Sequence, residues 1–186
     1  TAVLTPSGRL VQQAATSTAP FAGPREGAAP HVPCTLIACV ALTYDDGPDP
    51  VTTPELLDLF DAEGIRATFF VEGRYAAAHP EILRRALAAG HGIENHTWDH
   101  PDLARLPAED VARQIRSTDE AVAAAGVPTP TMMRAPYGSD GGATKDAVGK
   151  PLIYWSVDSF DWQSLDPAVF VPRVLERIEP GGVVLM

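Results

Sequence analysis

Thr43-Tyr44-Asp45-Asp46-Gly47-Pro48 lies where an apolar, partly β-branched stretch gives way to a turn. Residues 36–42 read as a buried strand, and Gly47-Pro48 breaks it. Two neighbouring carboxylates therefore fall where a strand opens into a loop, a position both rigidly held and reachable. Adjacent carboxylates repel, so each calls for a partner or a proton. A solvated Asx turn would explain the pair if it stood alone.

It does not stand alone, because strands and helices alternate from that point on. A helix starts at Thr53-Pro54-Glu55, turns Leu56, Leu57 and Phe60 inward, and stops at Gly64. Residues 66–71 read as a strand. Pro80 opens a second helix with Ile82, Leu83, Ala86 and Leu87 on one stripe and Gly90 as its end. Residues 91–95 are expected to be extended, and 107–125 to form the longest helix, with Val111, Ile115 and Val122 inward. Residues 131–135, 152–157 and 182–186 complete the strands. Asp166-Pro167 starts the last helix, with Pro172 implying a late start or a kink. This alternation implies a parallel α/β architecture, either a barrel or a doubly wound sheet. No Gly-x-Gly-x-x-Gly follows the first strand, which removes the dinucleotide-binding version. Each polar cluster falls at the C-terminal end of a strand, which favours a barrel with its site on that rim.

Composition bounds the rest. The 186 residues suffice for one domain with a sizeable core. A net charge of −10 argues against a nucleic-acid partner, and the chain has no apolar run long enough for a membrane span. Residues 1–33, rich in Ala, Thr, Pro and Gly, read as a leader or the tail of a preceding domain, with a short hairpin over residues 3–11. The main domain covers residues 34–186. Cys34 and Cys39 are either two buried thiols or a small-loop disulfide of an exported protein; the polar segment before them favours the disulfide.

Four clusters carry chemistry. His96-Thr97-Trp98-Asp99-His100 places two imidazoles on one face if the segment makes a helical turn. Two histidines near a surface need no function, but Asp46 at a neighbouring strand end adds an oxygen donor. Two His and one carboxylate make a three-ligand zinc site with an open position for water, and the metal brings the pKa of that water to about 7. Asp45 is then the base that takes the proton, provided the two carboxylates point opposite ways along the strand. Arg134, in Arg134-Ala135-Pro136-Tyr137-Gly138, is expected to hold Asp45 with a bidentate guanidinium, and the Tyr137-Gly138 turn can present a backbone N–H to an oxyanion. In Asp158-Ser159-Phe160-Asp161-Trp162, a carboxylate beside a Trp suits an acid-orienting group next to an apolar wall.

Together these stretches resemble the polysaccharide deacetylase family, the NodB-homology domain of carbohydrate esterase family 4. Residues 43–48, 96–100, 134–137 and 158–162 are similar to its first four motifs, in order, and the resemblance covers residues 34–186. It implies a distorted (β/α) barrel and one divalent metal, Zn2+ or alternatively Co2+. It further implies Asp46, His96 and His100 as ligands, Asp45 as base, Arg134 as its holder, Tyr137 serving the oxyanion, and Asp161 and Trp162 lining the acid side. The implied activity is hydrolysis of acetyl groups on a polysaccharide, N-acetyl or O-acetyl, by a secreted or cell-surface monomer. Tyr44 and Ala135 depart mildly from the family pattern. The fifth motif, a Leu-x-His that supplies the general acid, has no counterpart after Leu185-Met186. The chain is therefore expected to be truncated before its last elements; the alternative is a catalytically impaired carbohydrate-binding domain.

Overall fold

The computed structural model describes residues 38–141 and 144–186, together with the backbone of residues 3–4 and 10–11. Near the start, β1 (Val3–Leu4) and β2 (Leu10–Val11) pair antiparallel, as the expected hairpin requires. The boundary expected after residue 33 lies outside the described residues. So does Cys34; Cys39 is 5% exposed.

The main sheet is parallel throughout. Its strands are β3 (Ala41–Tyr44), β4 (Thr68–Val71), β5 (Gly92–Asn95), β6 (Val157–Asp158) and β7 (Val183–Leu185), in the order β5-β4-β3-β7-β6. The first of these begins later than expected at residue 36. Its ladder starts where its partner starts: the Ala41 N–H donates to the Gly182 carbonyl, and Ala41 pairs with Val183. Residues 36–37 lie outside the described residues.

The expected strand over residues 131–135 shrinks to bridges of Met133 with Asn95 and with Leu152, and the one over 152–157 keeps only that bridge at Leu152 and Val157 in β6. Proline supplies one reason, because Pro130, Pro136 and Pro151 offer no N–H to a ladder. Glu94 supplies another, since its carboxylate accepts from the N–H groups of Thr131 and Met132, both at 2.9 Å. The regular ladder is thus open between β5 and β6. Across that gap, Met133 N donates to Pro151 O and Ile153 N to Met133 O, while Ser156 and Ser159 donate to β7 carbonyls. Residues 151–159 therefore join β7 directly and β5 through Met133, the arrangement of a distorted barrel.

Helices pack around this sheet. Ahead of α1 (Thr52–Glu63), Asp49 Oδ1 accepts from Val51 N and Thr52 N, and the helix closes on Gly64 at φ 65°. α2 (Gly73–Ala78) was not expected, being one short turn that starts on glycine. α3 (Pro80–Ala88) and α4 (Ala108–Ala124) match the periodic stretches. α5 (Thr144–Val148) is a second unexpected short helix. α6 (Pro167–Arg177) begins at once, with the Asp166 carboxylate accepting from Ala168 N, so Pro172 does not delay it.

Leu57, Phe60, Phe69, Leu83, Ile93 and Val122 form the main core between helices and sheet. Each such burial contributes about 1.5–3 kcal/mol. A second cluster, including Leu103, Val111, Ile115 and Met133, seats α4 against the bridged segment. These contacts fix the strand ends on which the polar residues sit.

Candidate metal centre and catalytic rim

β3 delivers Thr43, Asp45 and Asp46 to the rim. Strand alternation would send the two carboxylates to opposite sides, but Asp46 adopts φ 68°, which ends the alternation. Both therefore approach one imidazole: His96 Nε2 lies 3.3 Å from Asp46 Oδ1 and 3.7 Å from Asp45 Oδ2. This corrects the expectation that they point apart.

The histidine pair is not on a helical turn either. Residues 96–100 form a loop in which Thr97 (φ 70°) and His100 (φ 62°) are left-handed. Side chains hold that shape: Thr97 N donates to Asn95 Oδ1 at 2.8 Å, and His100 N to Thr97 Oγ1 at 3.1 Å. The two rings come within 5.0 Å between centroids. Among the described residues, five non-glycine residues have positive φ, namely Asp46, Thr97, His100, Tyr137 and Phe160, and all lie in the four polar clusters. Backbone strain of this kind collects at functional sites and is held there by surrounding structure.

The Asp46, His96 and His100 donor atoms lie within 4.8 Å of one another and form a group able to hold a metal ion. Asp46 Oδ1 is 3.3 Å from His96 Nε2 and 3.4 Å from His100 Nε2. Two donors bound tetrahedrally to zinc, each about 2.0–2.1 Å from it, lie about 3.3–3.4 Å apart, so the residues fit the ion. His96 Nδ1 lies 2.8 Å from the Arg134 carbonyl. A carbonyl only accepts, so Nδ1 carries the hydrogen and Nε2 turns its lone pair to the site.

Charge balance favours a cation here. With its ring protonated at both nitrogens, His96 donates to Asp46, and that bond, stronger than the opposing burial, holds the Asp46 carboxyl below its ordinary range. Burial pushes the His100 imidazole down, keeping its lone pair free. Burial also opposes charging of His96, yet Asp46, Asp45 and the Arg134 carbonyl together raise its pKa. What raises it is a demand for positive charge, which a proton or a metal ion can meet.

Arg134 is 1% exposed and stacks over Phe70, its Cζ 4.3 Å from the ring centroid. It is not the expected bidentate clamp. Nη1 alone donates to Asp45 Oδ1 at 2.7 Å and to Thr43 Oγ1 at 2.8 Å, Nε reaches the Ile153 carbonyl at 3.3 Å, and Nη2 has no partner among the described residues. Thr43, which the sequence reading passed over, donates in turn to the Val184 carbonyl at 2.6 Å. Burial raises the Asp45 pKa even against His96 and Arg134. Its free Oδ2 faces the cluster.

Tyr137 (φ 60°) is 72% exposed, and its ring meets the His100 ring edge-on at 4.6 Å. Trp162 is also exposed. Asp161 turns inward on its own loop, accepting from Ser159 Oγ and Trp162 N; among the described residues no hydrogen bond links it to the ligand cluster. His79 ends α2, and His91 is buried between Phe60 and Phe69, so neither joins the site. A hollow of about 540 Å³ opens beside Asp45 and Asp46, walled by Tyr44, Leu56, Leu59 and Phe69.

Residues 34–150 match the family model described as polysaccharide deacetylase. The chain is 38% identical over 147 residues to peptidoglycan-N-acetylglucosamine deacetylase PgdA of Listeria monocytogenes, covering 79% of this chain and 32% of that protein. It thus spans about a third of that relative's length. It is 42% identical over 151 residues to a chitooligosaccharide deacetylase of a Bradyrhizobium species, covering 79% of this chain and 69% of the relative. Among solved structures, one described as T48 deacetylase with substrate superposes with a TM-score of 0.80 at 41% identity, covering 84% of this chain and 78% of that one.

Proposed function

The chain belongs to the polysaccharide deacetylase family, and from that membership we propose that it is a metal-dependent hydrolase removing acetyl groups from an extracytoplasmic polysaccharide. The observation that carries the proposal is the juxtaposition of the Asp46–His96–His100 donor group with an Arg134-held Asp45. Asp46, His96 and His100 would hold one divalent cation, Zn2+ or alternatively Co2+. When bound, it supplies Lewis acidity that makes water nucleophilic near neutral pH.

The chain's own groups do the rest. Arg134 Nη1 occupies Asp45 Oδ1, which leaves Oδ2 to accept the proton of the attacking water. Burial of Asp45 raises its basicity beyond that of an exposed carboxylate. The Tyr137 backbone N–H is the proposed donor to the developing oxyanion. Trp162 and Tyr137 offer exposed aromatic surface suited to a sugar ring. Asp161 is assigned to the side from which the leaving nitrogen or oxygen is protonated.

The relatives named for peptidoglycan N-acetylglucosamine and for chitooligosaccharides favour an N-acetylated glycan over an acetylated xylan. The test is acetate release from an N-acetylglucosamine oligomer and from acetylated xylan, before and after chelation and after Zn2+ is restored. Release from the oligomer that stops on chelation, returns with Zn2+, and is absent in Asp46→Ala is the expected result. Glycan binding without acetate release would favour a carbohydrate-binding domain, and release unaffected by chelator would refute the metal's role.

A further inference from the structure

Two helices converge on the loop between the two histidine ligands. Gly73 N donates to Thr97 O at 2.9 Å and Arg74 N to Trp98 O at 3.1 Å, so the start of α2 holds the loop's carbonyls. From the other side, the Gln114 side chain on α4 holds its N–H groups: Oε1 accepts from Trp98 N at 2.7 Å and Asp99 N at 3.3 Å, and Nε2 donates to Asp99 Oδ1 at 2.6 Å. The same stretch reaches the other ligand loop. Glu72 N donates to Gly47 O at 3.0 Å, next to Asp46, and His96 N donates to Val71 O at 2.9 Å.

Gly73 is small for want of space, since its φ lies outside the left-handed region. A Cβ there would sit 2.5 Å from Trp98 Cε3, 2.6 Å from Thr118 Oγ1 and 2.9 Å from Thr118 Cα. Thr118 is fully buried on α4, and its backbone cannot retreat without moving that helix. Any side chain at position 73 therefore pushes on Trp98, in the middle of the His96–His100 loop.

We infer that Gly73 and Gln114 are positioning residues for the metal centre, fixing the 97–99 loop and with it the reach of His100 toward Asp46 and His96. The inference rests on the metal-centre reading above. The loop is gripped by its Thr97 and Trp98 carbonyls from α2 and by its Trp98 and Asp99 N–H groups from α4, which leaves the backbone between the ligands little room to relax. Outer contacts of this kind are worth roughly 10–100-fold in metal affinity.

The experiment is a chelator-competition titration of Zn2+ on the purified chain, with visible spectra of the Co2+-loaded protein. It compares the unsubstituted chain with Gly73→Ala, Gln114→Ala and, as a control on the same helix, Ser117→Ala. Zn2+ affinity is expected to fall about tenfold or more in Gly73→Ala and Gln114→Ala, with altered Co2+ absorption, and to hold in Ser117→Ala. If Gly73→Ala does not fold, the half-buried Gln114→Ala carries the test. Unchanged affinity and spectra in Gln114→Ala, with only the melting temperature moved, would overturn the inference alone. Absence of Zn2+ binding by the unsubstituted chain would overturn the metal reading, and this inference with it.

Discussion

Asp45 and Asp46 differ by one position and have opposite environments. Asp46 is bonded to histidine and held ionised, whereas Asp45 is buried, bound through one oxygen, and raised in pKa. Such a split separates a ligand from a base. Asp45→Asn is therefore expected to cut kcat by about 10²–10⁴ while leaving Zn2+ affinity within a few-fold. Steady-state kinetics with a metal titration checks it; a parallel loss of both would make Asp45 a ligand instead. At this scale the meeting of Asp45, Asp46, His96, His100 and Arg134 at one rim was readable, because each stands in a polar cluster after an apolar run; their roles remain those proposed above. Thr43 and Gln114 were not readable. Thr43 acts through Arg134 and Val184, and Gln114 through Trp98 and Asp99, so neither role has a local pattern.

Strongly periodic elements were legible, and the short ones were not. α1, α3 and α4 carry apolar stripes with clear stops, while α2 and α5 are too short to establish a period. The 131–135 segment looked like a strand because its residues suit one, but flanking prolines and the Glu94 carboxylate claim its ladder groups. The backbone of the 96–100 loop was misread for a related reason: its left-handed residues are imposed by Asn95 and Thr97 side chains. Strand packing also leaves a pH signature at His91. Its Nδ1 accepts from Ala67 N at 3.1 Å, and burial lowers its pKa. Folding therefore favours the neutral ring. That contribution is complete above the unfolded value of about 6.5 and is lost as pH falls below it toward the depressed folded pKa. Melting curves between about pH 5 and pH 8 should show a smaller acid loss in His91→Gln than in the unsubstituted chain; parallel curves would contradict this.

Across the whole molecule, parallel strands send their C-terminal ends to one rim, which brings together residues 45, 46, 96, 100 and 134. The architecture and the meeting of those clusters were legible, because α/β alternation fixes which strand ends share a face. The single-sided grip of Arg134 and the inward turn of Asp161 were not, since both depend on partners no spacing specifies. Among the described residues, no helix is long and apolar enough to cross a membrane. The central claim is that Asp46, His96 and His100 jointly hold one divalent ion. Its most direct test is the Zn2+ stoichiometry of the purified chain by equilibrium titration, alongside Asp46→Ala and His96→Ala. One ion per chain, lost in both variants, is the predicted result; no bound ion, or binding indifferent to both substitutions, would contradict it.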